Sequence, residues 1–141
     1  MKAIILCGLP GAGKSTAAKR FVAADEDTVV VSADDYFVGR DGVYRWSAAG
    51  LGAAHKQCMD RFMNALADCK PVIVDNTNIR ARDRKPYIDA ARAAGYEVVF
   101  EILDFDPKLV PVYAARNAHG VPLESIQRML ERWQPPEQVT P

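Results

Sequence analysis

Gly8-Leu9-Pro10-Gly11-Ala12-Gly13-Lys14-Ser15 fills every position of the pattern G-x-x-x-x-G-K-[ST], directly after the apolar run Lys2–Cys7. A short apolar run that stops at a glycine reads as a buried parallel strand, and Lys14–Ala24 reads as a helix. The pattern therefore has its required setting, a strand before it and a helix after it. The glycines let the backbone curl so that several N–H groups point inward. Those groups, with the positive end of the following helix, bind phosphate oxygens. Gly8, Pro10, Gly11, Ala12, Gly13, Lys14, Ser15 and Thr16 are thus the candidate nucleotide-binding residues. Lys14 is placed to reach the β and γ phosphates, and the Ser15 hydroxyl to ligate Mg²⁺.

The rest of the chain repeats the strand–helix alternation. Thr28–Ser32 is a β-branched run and predicts a second strand. Asp34 to Trp46 reads as a polar loop. Ser47 caps a long helix to about Asp68, with Leu51, Ala54, Cys58, Phe62, Ala65 and Leu66 at three- and four-residue spacing. Pro71–Val74 predicts a third strand ending at Asp75, and Asn76–Asn78 a turn. A helix follows to about Ala94, with Pro86 near its start or kinking it and Gly95 as its stop. Val98–Leu103 predicts a fourth strand. Asp106-Pro107 starts a helix to about Asn117, Gly120–Pro122 breaks it, and Leu123–Trp133 forms the last helix. Residues 134–141 read as a frayed tail. The expected fold is α/β, a P-loop NTPase-type parallel sheet flanked by helices.

The chain has 141 residues, which predicts a single domain over 1–141. Lys plus Arg and Asp plus Glu are 18 each, so bulk charge gives no basis for non-specific binding of a polyanion. The three cysteines, Cys7, Cys58 and Cys69, form no C-x-x-C, and His55 and His119 complete no zinc set. They read as buried reduced thiols of a cytoplasmic protein. No apolar run is long enough to span a membrane, and no protein partner is indicated. The phosphate loop serves several enzyme classes. A GTPase reading lacks its base-reading N-K-x-D, and a helicase needs a second domain. A small kinase with an acceptor pocket and a mobile lid fits the length.

Asp34 and Asp35 directly follow the second predicted strand. In a doubly wound sheet, the C-terminal strand ends face the ligand crevice. A carboxylate there can take a proton from an attacking hydroxyl, or hold Mg²⁺ through water. Asp75 ends the third strand in the same way, after Val72-Ile73-Val74. There it reads equally as a metal-site acid and as a turn or cap residue.

Taken together, Gly8–Ser15, Ser32-Ala33-Asp34-Asp35-Tyr36, Asp75-Asn76-Thr77-Asn78, and Arg116-Asn117 followed by Gly120-Val121-Pro122 resemble the P-loop polynucleotide 5′-kinase family. Asp34-Asp35-Tyr36-Phe37, Ala54-His55 and Asp75-Asn76-Thr77-Asn78 look closer still to its stand-alone, kinase-like branch. The resemblance runs from Met1 to about Trp133. It implies ATP as phosphate donor, Mg²⁺ as cofactor, nucleic acid as acceptor, and a helical lid at about 112–124. It also implies that Asp34 is the general base, that Asp75 orients a lid arginine, and that Arg116 is that arginine, contacting donor phosphates. Two positions depart from the family. Phe37 stands where an arginine grips the acceptor phosphate, and His119 lies near the place of a second lid arginine. Arg40 or Arg45 is available to replace the lost acceptor contact.

The expected activity is transfer of the γ-phosphate to a polynucleotide 5′-OH. The alternatives are a hydroxymethyl-modified base in DNA, a small metabolite, or nucleotide binding without transfer. Lys14, Asp34 and Arg116 are the expected catalytic set. Asp35, Arg40, Arg45, Trp46, His55, Asp75 and Asn78 are the candidate acceptor contacts. Tyr44 and Trp46 read equally as base-stacking and as core residues. The basic stretch Arg80-Ala81-Arg82-Asp83-Arg84-Lys85 reads as a solvated helix face or a nucleic-acid contact.

Overall fold

The computed structural model describes residues 1–136. Four strands form one parallel sheet, β1 (Lys2–Cys7), β2 (Val29–Val31), β3 (Val72–Val74) and β4 (Glu97–Ile102), in the order β2-β3-β1-β4. The helices are α1 (Lys14–Ala24), α2 (Leu51–Ala67), α3 (Ala81–Ala93), α4 (Val110–Arg116) and α5 (Leu123–Glu131). β3 lies between β1 and β2, so the connection through α1 and the one through α2 run in opposite directions along the sheet. With right-handed crossovers this puts α1 on one face and α2 with α3 on the other.

Side-chain alternation along the strands matches that arrangement. Ala3, Ile5, Val72 and Val74 point to Cys58, Phe62, Tyr87 and Ala91 of α2 and α3. Ile4, Leu6 and Ile73 point to Ala17 and Ala18 of α1. The central strands are apolar on both faces because both faces are covered. A third cluster of Leu9, Ile79, Val110, Tyr113 and Ile126 fastens α4 and α5 over the phosphate-loop end of the sheet.

The structure refines several expectations. Asp34 to Trp46 is not all loop. Ala33–Phe37 is a 3₁₀ turn, with Ser32 Oγ accepting from Asp34 N at 3.2 Å, and Val38 pairs with Tyr44 in an isolated bridge. Ser47 caps a separate 3₁₀ turn over Ala48–Gly50 that leads into α2. Pro86 sits inside α3, which runs on through it. Cys69 is exposed and left-handed, φ 53°, unlike the buried Cys7 and Cys58.

The basic stretch is largely tied up. Arg80 and Asp83 box the start of α3, and Lys85 pairs with Asp89 at 2.7 Å. Arg84 is only 2% exposed, which excludes it from a nucleic-acid face. Its guanidinium donates to Asn78 O and Gln134 O, each at 2.7 Å, and lies 5.6 Å from the Trp133 ring centroid. Gln134 also donates its N–H to Ile79 O and accepts from Ala81 N. The expected tail therefore begins beyond Gln134, and its last part, 137–141, lies outside the described residues. Among the described residues no helix is long and apolar enough to cross a membrane.

Candidate active site

Strand register brings the predicted acids together. β1, β2 and β3 pair in register at Ile5, Val31 and Val74. The residues that follow them converge on one cleft of about 1640 Å³ at the carboxyl end of the sheet. Gly8 N donates to Thr77 O at 3.1 Å, and Asp75 N to Val31 O at 2.8 Å, which ties the three loops to one another. Asn76 adds a brace: its Oδ1 accepts from Ala33 N at 2.9 Å and so holds the turn that carries Asp34.

The phosphate loop has the backbone its motif demands. Gly11 and Gly13 have φ of 82° and 105°, a region costly for any residue with a Cβ. Gly13 starts α1 with no side-chain cap, and the first turn holds no acidic residue. The N–H groups of an 11-residue helix are thus left open toward the cleft, the arrangement that takes an anion. Lys14 Nζ is folded onto the loop itself, donating to Gly8 O at 3.0 Å and Leu9 O at 3.1 Å. Burial pushes its pKa below the usual lysine value, while the charges of Asp75 and Asp34 pull it back up. Ser15 and Thr16 are exposed at the cleft mouth.

Arg116 ends α4 and donates to Gly11 O at 2.8 Å, with its guanidinium 5.7 Å from the Tyr113 ring centroid. It therefore sits on the phosphate loop and makes no pair with Asp75, contrary to the orientation expected from the resemblance. α4 lies so close to the loop that a Cβ on Gly11 would meet Tyr113 O at 2.2 Å. Asn117 holds the turn beyond α4, accepting from Val121 N at 2.8 Å and donating to Ala114 O at 2.9 Å.

Asp34 and Asp35 both line the cleft but engage different partners. Asp35 is turned to α2, where Arg61 Nη1 donates to its Oδ2 at 2.7 Å. Asp34 faces the cleft, its Oδ1 accepting from Tyr44 Oη at 3.1 Å and its Oδ2 lying 3.5 Å from His119 Nε2. The Tyr44 and His119 rings are 4.1 Å apart. Burial, with Asp34 beside it, pushes the Tyr44 phenol up to about 12, so Tyr44 remains a donor. Burial raises Asp75 as well; Lys14 opposes that rise, and Asp34 and Asp35 add to it.

Tyr44 and His119 are the residues that sequence reasoning undervalued. Nothing in the spacing announced that a tyrosine ten residues after Asp34 folds back on it. The other expected contacts divide. Trp46 and His55 line the cleft, and both are exposed. Arg40 is exposed outside the cleft lining, and Arg45 pairs with Asp41 at 2.7 Å. Asn78 is 3% exposed with φ 51°, and its Nδ2 donates to Leu6 O at 2.7 Å. None of these last three lines the cleft.

This geometry has counterparts in known proteins. The AAA domain family matches residues 4–136. Human NEDD4-binding protein 2 is 39% identical over 136 residues, which cover 93% of this chain. The chain spans 8% of that relative's length. A chain of the Pnkp1/Rnl/Hen1 RNA repair complex superposes with a TM-score of 0.75 at 23% identity, covering 93% of this chain and 43% of that one. A gluconokinase from Sinorhizobium meliloti superposes with a TM-score of 0.66 at 16% identity, covering 98% and 78%. Both likenesses are in fold. With the phosphate loop intact and the match running almost from end to end, the chain belongs to the AAA domain family and has a small P-loop α/β fold shared with kinases.

Proposed function

We propose that the protein is an ATP-dependent phosphotransferase, and that its acceptor is a hydroxyl on nucleic acid, in the first instance a polynucleotide 5′-OH. The observation that carries this reading is one cleft holding both the anion-binding loop after β1 and a carboxylate, Asp34, after β2, whose side-chain partners are a tyrosine and a histidine. A pure nucleotide binder has no need of that carboxylate. The acceptor is drawn from the resemblance, and the likeness to an RNA repair complex supports it.

In this reading the loop amides and the open start of α1 hold the triphosphate. Lys14 leaves the carbonyls of Gly8 and Leu9 to meet it, and Arg116 already stands on the loop at Gly11. Both spread the charge that develops on the transferring group. The acceptor oxygen forms a bond to the γ-phosphorus while the bond to the β–γ bridging oxygen breaks and ADP leaves. Asp34 takes the hydroxyl proton, displacing one of its present partners, and later passes it to water. The oxygen donors at hand, the Ser15 hydroxyl with the carboxylates of Asp34 and Asp75 reached through water, fit Mg²⁺. Bound there, it would neutralise charge between the β and γ oxygens. The turn at 117–122 and its flanking helices serve as the lid, within a single domain.

The test is a labelled γ-phosphate transfer screen over 5′-OH DNA, 5′-OH RNA, hydroxymethylated duplex DNA and small alcohols, with Lys14→Ala as control. Removing one charged donor from a transferring phosphoryl lowers the rate by about two to three orders of magnitude. Transfer by Lys14→Ala at the wild-type rate would overturn the assignment. ATP binding with no turnover on any acceptor would make the protein a nucleotide-binding switch.

A further inference from the structure

The cleft is lopsided in charge. Its lysine and arginines, Lys14, Arg20 and Arg116, are all borne by α1 and α4. The wall built by residues 33–55 contributes no lysine or arginine to it. The arginines nearest that wall are engaged elsewhere or lie outside the lining: Arg45 on Asp41, Arg61 on Asp35, and Arg40 in solvent. Residues 137–141 contain no lysine or arginine either. The wall instead presents Asp34 and Asp35, whose charges reach Asp75. A phosphate placed there meets these carboxylates and no lysine or arginine; the basic side chains at hand are the imidazoles of His55, on the wall, and His119, 3.5 Å from Asp34 Oδ2.

The same wall is aromatic. Trp46 lines the cleft with 55% of its surface exposed, although a residue of its size gains most by burial. It is supported from behind by the buried Phe37, whose ring centroid is 6.4 Å away. Phe37 also packs edge-on to Tyr44, at 6.0 Å, so the tryptophan and the Asp34 clasp share one base. An open indole lining the same cleft as Asp34, and joined to it through Phe37 and Tyr44, is a stacking surface for a planar ring of the molecule that bears the reacting hydroxyl.

We infer that this wall recognises its acceptor as a nucleobase stacked on Trp46, and that it draws no affinity from a phosphate beside the reacting hydroxyl. The inference deepens the phosphotransferase reading and relies on it only for the transfer assay. The nucleobase can come from a free nucleoside or from a base in a strand, and the experiment separates the two.

Transfer from labelled ATP is measured on thymidine, thymidine 3′-phosphate, 5-hydroxymethyl-2′-deoxyuridine, 5′-OH oligothymidylate and gluconate. The wild type is compared with Trp46→Ala and Trp46→Phe. We expect thymidine and its 3′-phosphate to agree in kcat/KM within about threefold, because no lysine or arginine of the wall grips the phosphate. Trp46→Ala should raise KM for the ring acceptors by about tenfold, mostly without loss of kcat, and Trp46→Phe should restore most of it. A strong gain from the 3′-phosphate, better use of gluconate than of any ring acceptor, or an unchanged KM in Trp46→Ala would overturn the inference. Indole fluorescence is titrated with thymidine in parallel. Quenching that disappears in Trp46→Phe, with no transfer to any probe, sustains the stacking site and defeats the transfer reading. Absence of quenching up to the solubility of thymidine defeats the stacking site, whatever is transferred.

Discussion

Gly11→Ala tests whether α4 must dock on the phosphate loop, because it removes no reactive group. Two costs arise at this position. A φ of +82° is left-handed, which costs a residue with a Cβ about 1–2 kcal/mol. The new methyl would also stand 2.2 Å from Tyr113 O, a backbone atom of α4 that no rotamer change can move aside. The helix must therefore retreat by roughly 1 Å to reach ordinary contact, an overpacking that costs about 1–3 kcal/mol. That retreat also lengthens the Arg116–Gly11 hydrogen bond, now 2.8 Å. The sum, about 2–5 kcal/mol, corresponds to a fall in Tm of about 7–17 °C for a chain of this size. A 1 Å misplacement of a positioning element costs about a hundredfold in rate. Gly42→Ala is the control: its φ is +78°, but nothing lies within 4 Å of the added methyl. It should lose only the strain, about 1–2 kcal/mol, and keep its transfer rate. Thermal melts and single-turnover transfer on both variants decide the matter. If Gly11→Ala melts and turns over like Gly42→Ala, the close approach of α4 contributes nothing beyond backbone strain.

Asp34→Asn should lose about two to four decades of transfer with ATP binding nearly intact, whereas Asp35→Asn, which breaks an exposed pair with Arg61, should be mild; ATP titration beside single-turnover transfer checks this, and the reverse outcome would exchange the two roles. Asp75 is raised above its ordinary value of 3.8 by burial, so the folded state holds its proton to higher pH than the unfolded state does. Stability contributed by this group therefore falls as pH climbs from about 3.8 through the raised value, and Asp75→Asn should melt above wild type at neutral pH but not near pH 3.8. Melts with the opposite ordering would show that attraction to Lys14 outweighs desolvation. Arg84→Met keeps the aliphatic stem but strips the donors from Asn78 O and Gln134 O, a loss of about 2–5 kcal/mol in denaturant unfolding; a loss below about 0.5 kcal/mol would mean that water replaces the guanidinium.

Much of the molecule was legible in the chain because it rests on local rules. The strand–loop–helix unit at Lys2–Ala24 carries its own glycines, and β3 announces itself by three apolar β-branched residues before an acid. The parallel α/β class follows from alternation alone. The Asp34-Asp35 pair was legible as a site but not as a division of labour, since adjacent residues on a 3₁₀ turn point apart and only packing against α2 shows which one meets Arg61. Arg84 read as surface because its spacing in a basic run is that of a solvated face. Tertiary structure buries it, since two chain carbonyls and the Trp133 ring replace water around the charge. Asn78 likewise looked like a ligand and proves to be a brace under Leu6. Tyr44 and His119 lie 75 positions apart in sequence yet meet over Asp34. A motif encodes what neighbouring residues do to one backbone segment; which side chains from remote loops complete the site is settled by strand order and register, which no short stretch of sequence contains.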